Sequence, residues 1–338
     1  MNSIIQPIII CLTPVRNEAW ILDKFLTSTS LWADHIIIAD QMSTDGSREI
    51  AKKYPKVILI DNPSETFNEP ERQKLLIDEA RKIEGQRLLI TLDADEVFTP
   101  NYHTSEEWKT MLTSNPGTIF RFYMYNLSSD LKNMWLHDDY FFWGYMDDGY
   151  QHKSDNIIHT ARIPLPQGHD IINNKDIKVI HFQFTDWNRM QSKHRWYQCF
   201  EVLNFKDRSA LDIFRMYHHM YGVKPTNLIP IPKEWIEDYK KQEIDLLHVN
   251  YETKLWWDEK VLDLFEEHGT EVFRKLNIWG VNWKKTAKSW GKSNLSLYND
   301  PRNIFDKLIQ FWLLKTQKIK DVRNVKRIEK RIKKYFHY

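Results

Sequence analysis

Leu88-Leu89-Ile90-Thr91-Leu92-Asp93-Ala94-Asp95-Glu96 is an apolar run of strand length that stops abruptly on three acids. In an open α/β sheet, ligands bind beyond the carboxyl ends of the strands. Carboxylates gathered there repel one another unless a cation or a hydrogen-bond network offsets the charge. Asp93 and Asp95 are two positions apart, so both can face one side of an extended backbone. That pattern suits a hard divalent ion, Mg2+ or Mn2+, held by oxygen and completed by phosphate oxygens.

Upstream, three more β-branched runs alternate with helical patterns. Residues 8–12 read as a buried first strand closed by Thr13-Pro14, and a helix opens at Arg16-Asn17-Glu18. Residues 36–40 form a second strand ended by the turn cluster Ser43-Thr44-Asp45-Gly46, with a helix over 48–54. Residues 57–60 form a third strand, and a helix runs from about Glu69. Such alternation predicts an α/β fold with a mostly parallel sheet covered by helices on both faces.

After Pro100 the rhythm changes. Helices are expected near 106–112, 190–203 and 211–221, and strands at 118–125, 157–163 and 177–184. Residues 134–150 are dense in aromatics, Asp and His without a clear period. Pro225, Pro230 and Pro232 mark a linker. The rest reads as helical, ending in a long helix from about Asn303 whose segment 315–334 holds ten Lys/Arg against two acids. Two domains follow from this: residues 1–224, with a half around the Asp93 acids (about 1–100) and a second half (about 101–224), then a helical region, 225–338, with a basic last helix.

The chain has 338 residues and a net charge of +2, so its overall balance does not call for a strongly acidic or basic partner. Cys11 and Cys199 lie far apart in no CxxC spacing, which argues against a zinc cluster or disulfide framework and fits a reducing compartment. No secretory leader is evident, and no apolar run approaches the ~20 residues that span a bilayer. The sequons at Asn126 and Asn294 therefore read as chance matches. These features predict a cytoplasmic protein.

Several side chains could carry chemistry. Asp40, at the end of strand two, can accept hydrogen bonds from a base or ribose; it could equally cap a helix, although Asp45 is better placed for that. Arg72 near a helix start suits a phosphate or pairs with Glu69 or Glu71. His181 at a strand end could complete a carboxylate metal site or be structural. Asp148, with Asp147 second, offers a general base for a sugar hydroxyl; the alternative is an acidic turn before Gly149. Trp135, Trp143 and Tyr145 could form a sugar platform or fill a core. The basic last helix is either a solvated face or a contact for an anionic membrane; no nucleic-acid motif accompanies it.

Taken together, the ordered set resembles an inverting family-two glycosyltransferase of the GT-A fold. Leu12-Thr13-Pro14-Val15-Arg16-Asn17-Glu18 is similar to the family's first-strand ending. Residues 37–47 are similar to its Asp-rich second-strand stretch, with Gln41-Met42 in place of the usual Asp-Gly. Arg72 precedes the acids as in the family, and Asp93-Ala94-Asp95 matches its Asp-x-Asp signature. His181 resembles the later histidine of the bacterial lipopolysaccharide-core branch. The resemblance implies a Rossmann-related sheet and a UDP-sugar donor bound by Thr13, Asn17, Glu18, Asp40, Arg72 and Asp93. It implies Mn2+ or Mg2+ held by Asp93, Asp95 and His181, and a glycan or glycolipid acceptor. Two rivals stand beside it: a sugar-1-phosphate nucleotidyltransferase, which would need a glycine-rich basic loop after strand one, and a non-catalytic carbohydrate-binding protein on the same fold.

Overall fold

A computed structural model of the chain describes residues 6–154 and 156–338, without the side chain of Asp138. In chain order the strands are β1 (Ile8–Val15), β2 (His35–Asp40), β3 (Val57–Asp61), β4 (Arg87–Thr91), β5 (Glu96–Phe98), β6 (Ile119–Leu127), β7 (Asn133–Met146), β8 (Ile171–His181) and β9 (Ile229–Pro230). The helices are α1 (Leu22–Thr29), α2 (Ser47–Ala51), α3 (Glu69–Ala80), α4 (Glu106–Thr113), α5 (Trp187–Asn204), α6 (Ala210–Tyr217), α7 (Lys233–Lys241), α8 (Trp256–His268), α9 (Trp283–Ser289), α10 (Ile304–Thr316) and α11 (Arg323–Phe336).

The chain divides into two units. The first runs through Thr185 and takes back Ile229–Tyr251; the second holds Asp186–Leu228 and Glu252–Tyr338. This differs from a boundary at 224. The proline-marked segment is not a free linker, because β9 returns to pair with β7 through Asn133 and Met134. The helices α5 and α6, expected in the first domain, belong with the C-terminal helices instead.

The first unit is built on one sheet in the order β3-β2-β1-β4-β7-β6-β8-β5, with β9 on β7. Among the described residues only β5 and β7 run against the other strands. This is the mostly parallel α/β sheet that the alternation predicts, and it agrees with the GT-A-like fold that the resemblance implies. Apolar side chains fill both of its faces. Ile9, Cys11, Ile36, Ile38, Leu88 and Ile90 pack on one side with Phe25 and Leu26 of α1. Ile10, Leu12, Ile37, Ala39 and Leu89 pack on the other with Leu76, Ile77 and Ala80 of α3. The period of two is why a continuous apolar run serves both layers.

Two local departures shape the carboxyl edge. β1 continues through Pro14 to Val15, because its pairing with β4 stops at Leu12 and Thr91. Beyond that point Pro14 has a neighbour on one side only, so its missing N–H costs no ladder bond. The following helix starts at Leu22 rather than at Arg16, since Asn17 adopts a left-handed backbone, φ 56°.

The second unit is helical. Ile213, Val261, Leu262, Phe265, Trp279 and Trp283 form its main core. A smaller core joins Leu211 and Phe214 of α6 to Ile309 and Leu313 of α10 and Ile332 of α11. The long last helix expected from Asn303 is broken at residues 317–322 into α10 and α11.

Candidate active site

The acids sit on a turn between β4 and β5. Asp93 and Glu96 close it reciprocally: the Glu96 amide donates to the Asp93 carbonyl at 3.0 Å, and the Asp93 amide donates to Glu96 Oε2 at 2.9 Å. β5 then pairs with β8, placing Glu96 opposite His181. The Phe182 amide donates to the Asp95 carbonyl at 2.8 Å, which ties the turn to the end of β8. Asp95 and His181 therefore meet although 86 positions separate them in the sequence.

His181 Nε2 lies 3.6 Å from Asp95 Oδ2. Its other nitrogen, Nδ1, is 2.8 Å from the Asn126 side-chain oxygen. Asn126 is buried in β6, directly opposite both His181 and Trp135. With Nδ1–H donating to Asn126, Nε2 presents its lone pair to a carboxylate. Two such groups draw a proton or a metal cation between them. Ligands each about 2.1 Å from one ion stand roughly 3–4 Å apart, so Asp95 and His181 fit as two members of a divalent-metal shell. Among the described residues no group of three or more His, Cys, Asp and Glu is arranged as a metal centre.

Asp93 is engaged elsewhere. Arg162 Nη2 donates to Asp93 Oδ2 at 2.6 Å, and its Nη1 donates to Glu96 Oε2 at 2.5 Å. The guanidinium also lies over the Trp143 ring, 5.3 Å from its centroid. Burial opposes charge on Arg162, but Asp93 and Glu96 outweigh it and raise its pKa. Burial pushes Glu96 above the usual carboxylate range, with Arg162 working against that rise. Arg162 thus supplies much of the offset that the acid cluster demands. Nothing in its local sequence marks it, because its partners lie 66 and 69 residues earlier. The expected strand over 157–163 is instead a loop, held to α3 where the Glu69 amide donates to Ile157 O and Glu69 Oε2 accepts from the Thr160 amide.

On the β1–β2 side, Asp40 is buried. Its Oδ2 accepts from Arg48 Nη1 at 2.8 Å and from the Ser43 amide at 3.2 Å, while Arg48 also reaches Asp61 at 2.8 Å. Asp40 Oδ1 is buried with no hydrogen-bond partner among the described residues. Burial lowers the Arg16 pKa, and nearby Asp40 works to restore it. Asn17 and Glu18 interlock the two loops: Asn17 Oδ1 accepts from the Thr44 amide, and the Glu18 amide donates to Ser47 Oγ. Asp45 accepts from the Ala19 and Ser47 amides, which leaves Asp40 to the site. Gln41, the departure from the family pattern, is buried and donates to the Ser64 and Thr66 carbonyls, so it anchors the loop before α3. Thr13 is fully buried, its hydroxyl against Cys11 Sγ, and turns to the core rather than to a ligand.

Arg72 lies in the first turns of α3, over Phe67 and 3.9 Å from Glu69. Its Nε is buried with no hydrogen-bond partner among the described residues. A guanidinium only loosely paired at a helix start retains capacity for phosphate.

Three further expected residues, Asp147, Asp148 and Tyr145, do not reach this site. β7 runs antiparallel beside β4, so its end returns to the start of β4, and the Asp147 amide donates to Arg87 O. The length of β4, five residues and roughly 16 Å, separates Asp147 and Asp148 from the carboxyl edge. Asp147 is buried between Arg81 at 2.8 Å and Arg87 at 3.0 Å. Burial works to raise its pKa, but Arg81, the Gly149 amide and Arg87 hold it below the usual range. Asp148 accepts from the Tyr145 hydroxyl and faces His169. Neither acid is placed to act as the base. Tyr145 is wholly buried in the α3-side core and offers no sugar platform. Trp135 packs on Phe184 and Trp143 stacks on Phe141, both buried, so aromatic packing accounts for them. Trp143 still borders the site through Arg162.

Residues 10–163 match the family model of glycosyl transferase family 2, a span that runs from β1 past Arg162. No curated protein matches the chain. Among solved structures, glucosyl-3-phosphoglycerate synthase from Mycobacterium tuberculosis, in complex with Mn2+, uridine diphosphate and glucosyl-3-phosphoglycerate, shares 16% identity at a TM-score of 0.28. The match covers 38% of this chain and 46% of that one. S. aureus TarS, residues 1–349, shares 13% identity at a TM-score of 0.28, over 34% of this chain and 36% of that one. The chain spans less than half the length of either structure. The family match, over the segment that carries Asp40, Arg72, Asp93 and Asp95, supports a glycosyltransferase.

Proposed function

We propose that the protein transfers a sugar from a nucleoside diphosphate donor, UDP by the family resemblance, to a hydroxyl of a glycan or glycolipid acceptor, with inversion. The carrying observation is Asp95 and His181 facing each other across 3.6 Å at the carboxyl edge of the sheet. Asp40 Oδ1 and Arg72 Nε, both buried without a hydrogen-bond partner among the described residues, add an acceptor for the nucleoside and a donor for the diphosphate. The resemblance of His181 to the later histidine of the lipopolysaccharide-core branch makes a hexose the working choice of transferred sugar. Two buried free thiols agree with action in the cytoplasm.

In this mechanism Asp40 receives the nucleoside, fixed in place by Arg48 and the Ser43 amide. Arg72 approaches the diphosphate. Asp95 and His181 would hold a divalent cation, with Asn126 fixing the imidazole; Asp93 would join them only on leaving Arg162. The cation supplies electrostatic stabilisation of the departing diphosphate. The acceptor hydroxyl attacks from the opposite face through an oxocarbenium-like state; the anomeric C–O bond to the diphosphate breaks, the hydroxyl proton passes to solvent, and the anomeric carbon is inverted.

The test is incubation with UDP-, GDP- and dTDP-sugars, with Mn2+, with Mg2+ or with chelator. Slow metal-dependent release of the nucleoside diphosphate supports the reading. Release of sugar-1-phosphate in the presence of pyrophosphate identifies a nucleotidyltransferase instead. No turnover of any donor sinks both and leaves a binding protein.

A further inference from the structure

α10 is amphipathic in the reverse sense. Its buried side carries Asp306, Ile309, Gln310 and Leu313. Its outer side carries Ile304, Phe305, Leu308 and Phe311, each more than half exposed, with Leu314 at 40%. A helix of a soluble domain normally turns such residues inward. A run of them on one outer face marks an interaction site.

The neighbouring helix sets the chemistry of the partner. α10 and α11 both bury their inner sides in the small core around Leu211 and Phe214, and Phe305 meets Phe336 with ring centroids 5.9 Å apart. Both outer faces are therefore solvent-facing. On α11 that face carries Arg323, Arg327, Lys330, Arg331 and Lys334, all exposed. The two acids of the basic segment are already engaged: Glu329 binds Arg215 at 2.7 Å and Asp321 binds Lys326 at 3.0 Å. Lys315 lies over the Phe311 ring and Lys334 over Tyr335, at 5.3 and 5.4 Å from the centroids. Ammonium groups held over aromatic rings beside an apolar face match the boundary between acyl chains and anionic headgroups.

We infer that α10 and α11 form a docking surface for an anionic lipid bilayer, with the apolar side of α10 entering the headgroup–acyl boundary and the α11 cations binding the anionic headgroups. A second copy of the chain fits less well, since it would set like charges against one another. No helix among the described residues is long and apolar enough to cross a membrane, so the helices lie in its plane. This docking does not depend on the glycosyltransferase reading.

The experiment is vesicle co-sedimentation of the full chain, with phosphatidylcholine alone or mixed with phosphatidylglycerol, at low and high salt. Two variants are compared with the parent: Leu308→Gln with Phe311→Gln, and Arg327→Gln with Lys330→Gln and Arg331→Gln. All five positions are exposed, and an unchanged unfolding midpoint confirms that the fold is retained. The expected result is salt-sensitive binding to the anionic vesicles, reduced roughly tenfold or more in each variant. Absence of anionic-vesicle binding, equal binding to neutral vesicles, or variants that bind like the parent would overturn it. Self-association in sedimentation velocity that Leu308→Gln with Phe311→Gln abolishes, without vesicle binding, would assign the surface to a second copy.

Discussion

Arg162 and Asp93 form an ion pair of 2.6 Å at the carboxyl edge of β4, and the same guanidinium neutralises the buried Glu96. A single cation of the chain thus stands among the acids that would otherwise repel one another. Replacing it exposes what it offsets. Arg162→Met should lower stability by about 3–5 kcal/mol, because it leaves a buried charge unpaired. The loss should depend on pH. Burial already raises the folded Glu96 pKa, and losing Arg162 raises it further. The folded variant then binds more protons than the unfolded chain. Its deficit should be smallest in acid and grow as pH rises from about 4.3 through the raised value. Denaturant unfolding across that range checks this, and adding Glu96→Gln should recover part of the loss. An unchanged midpoint in Arg162→Met would show that the pair does not stabilise the turn.

Asp40→Asn should weaken nucleotide binding by roughly tenfold or more, since it removes the charge from an acceptor expected to meet the nucleoside. Calorimetric titration with UDP measures this. Equal affinity would assign Asp40 to holding Arg48 alone.

Asp147→Asn and Asp148→Asn should leave turnover within about twofold of the parent, because both acids lie at the far end of β4. Asp147→Asn should nevertheless cost about 3 kcal/mol at neutral pH by stranding Arg81 and Arg87. The folded Asp147 pKa is depressed, so its contribution is complete above about 3.9, the unfolded value. It is lost as pH falls through the lower folded value. The parent and variant stability curves should therefore converge in acid. Loss of transfer with donor binding intact in either variant would restore that acid as the base.

The first four strands could be read because each announces itself locally: β-branched runs closed by Pro14, by Ser43–Gly46 or by acids; β5, three residues long, could not. β7 could not be read so. Its register with β6 shifts between Phe120 and Arg121 and again between Tyr123 and Tyr125, which breaks the alternation that marks a strand. Its antiparallel placement beside β4 sends Asp147 and Asp148 to the wrong end, and only topology reveals that. Asp93, Asp95 and His181 were visible as residue types at strand ends. The partners that set their chemistry, Arg162 and Asn126, carry no local signal. Asn126 even sits in a glycosylation sequon, yet it is buried against His181.

The most direct measurement is calorimetric titration of UDP into the protein with Mn2+ and with chelator, repeated for Asp95→Asn and His181→Ala. Binding should require the metal, and each variant should weaken it by roughly tenfold to hundredfold. UDP affinity that is the same with and without Mn2+, or untouched by both substitutions, would contradict the pairing of Asp95 with His181 as the metal-holding corner of the site.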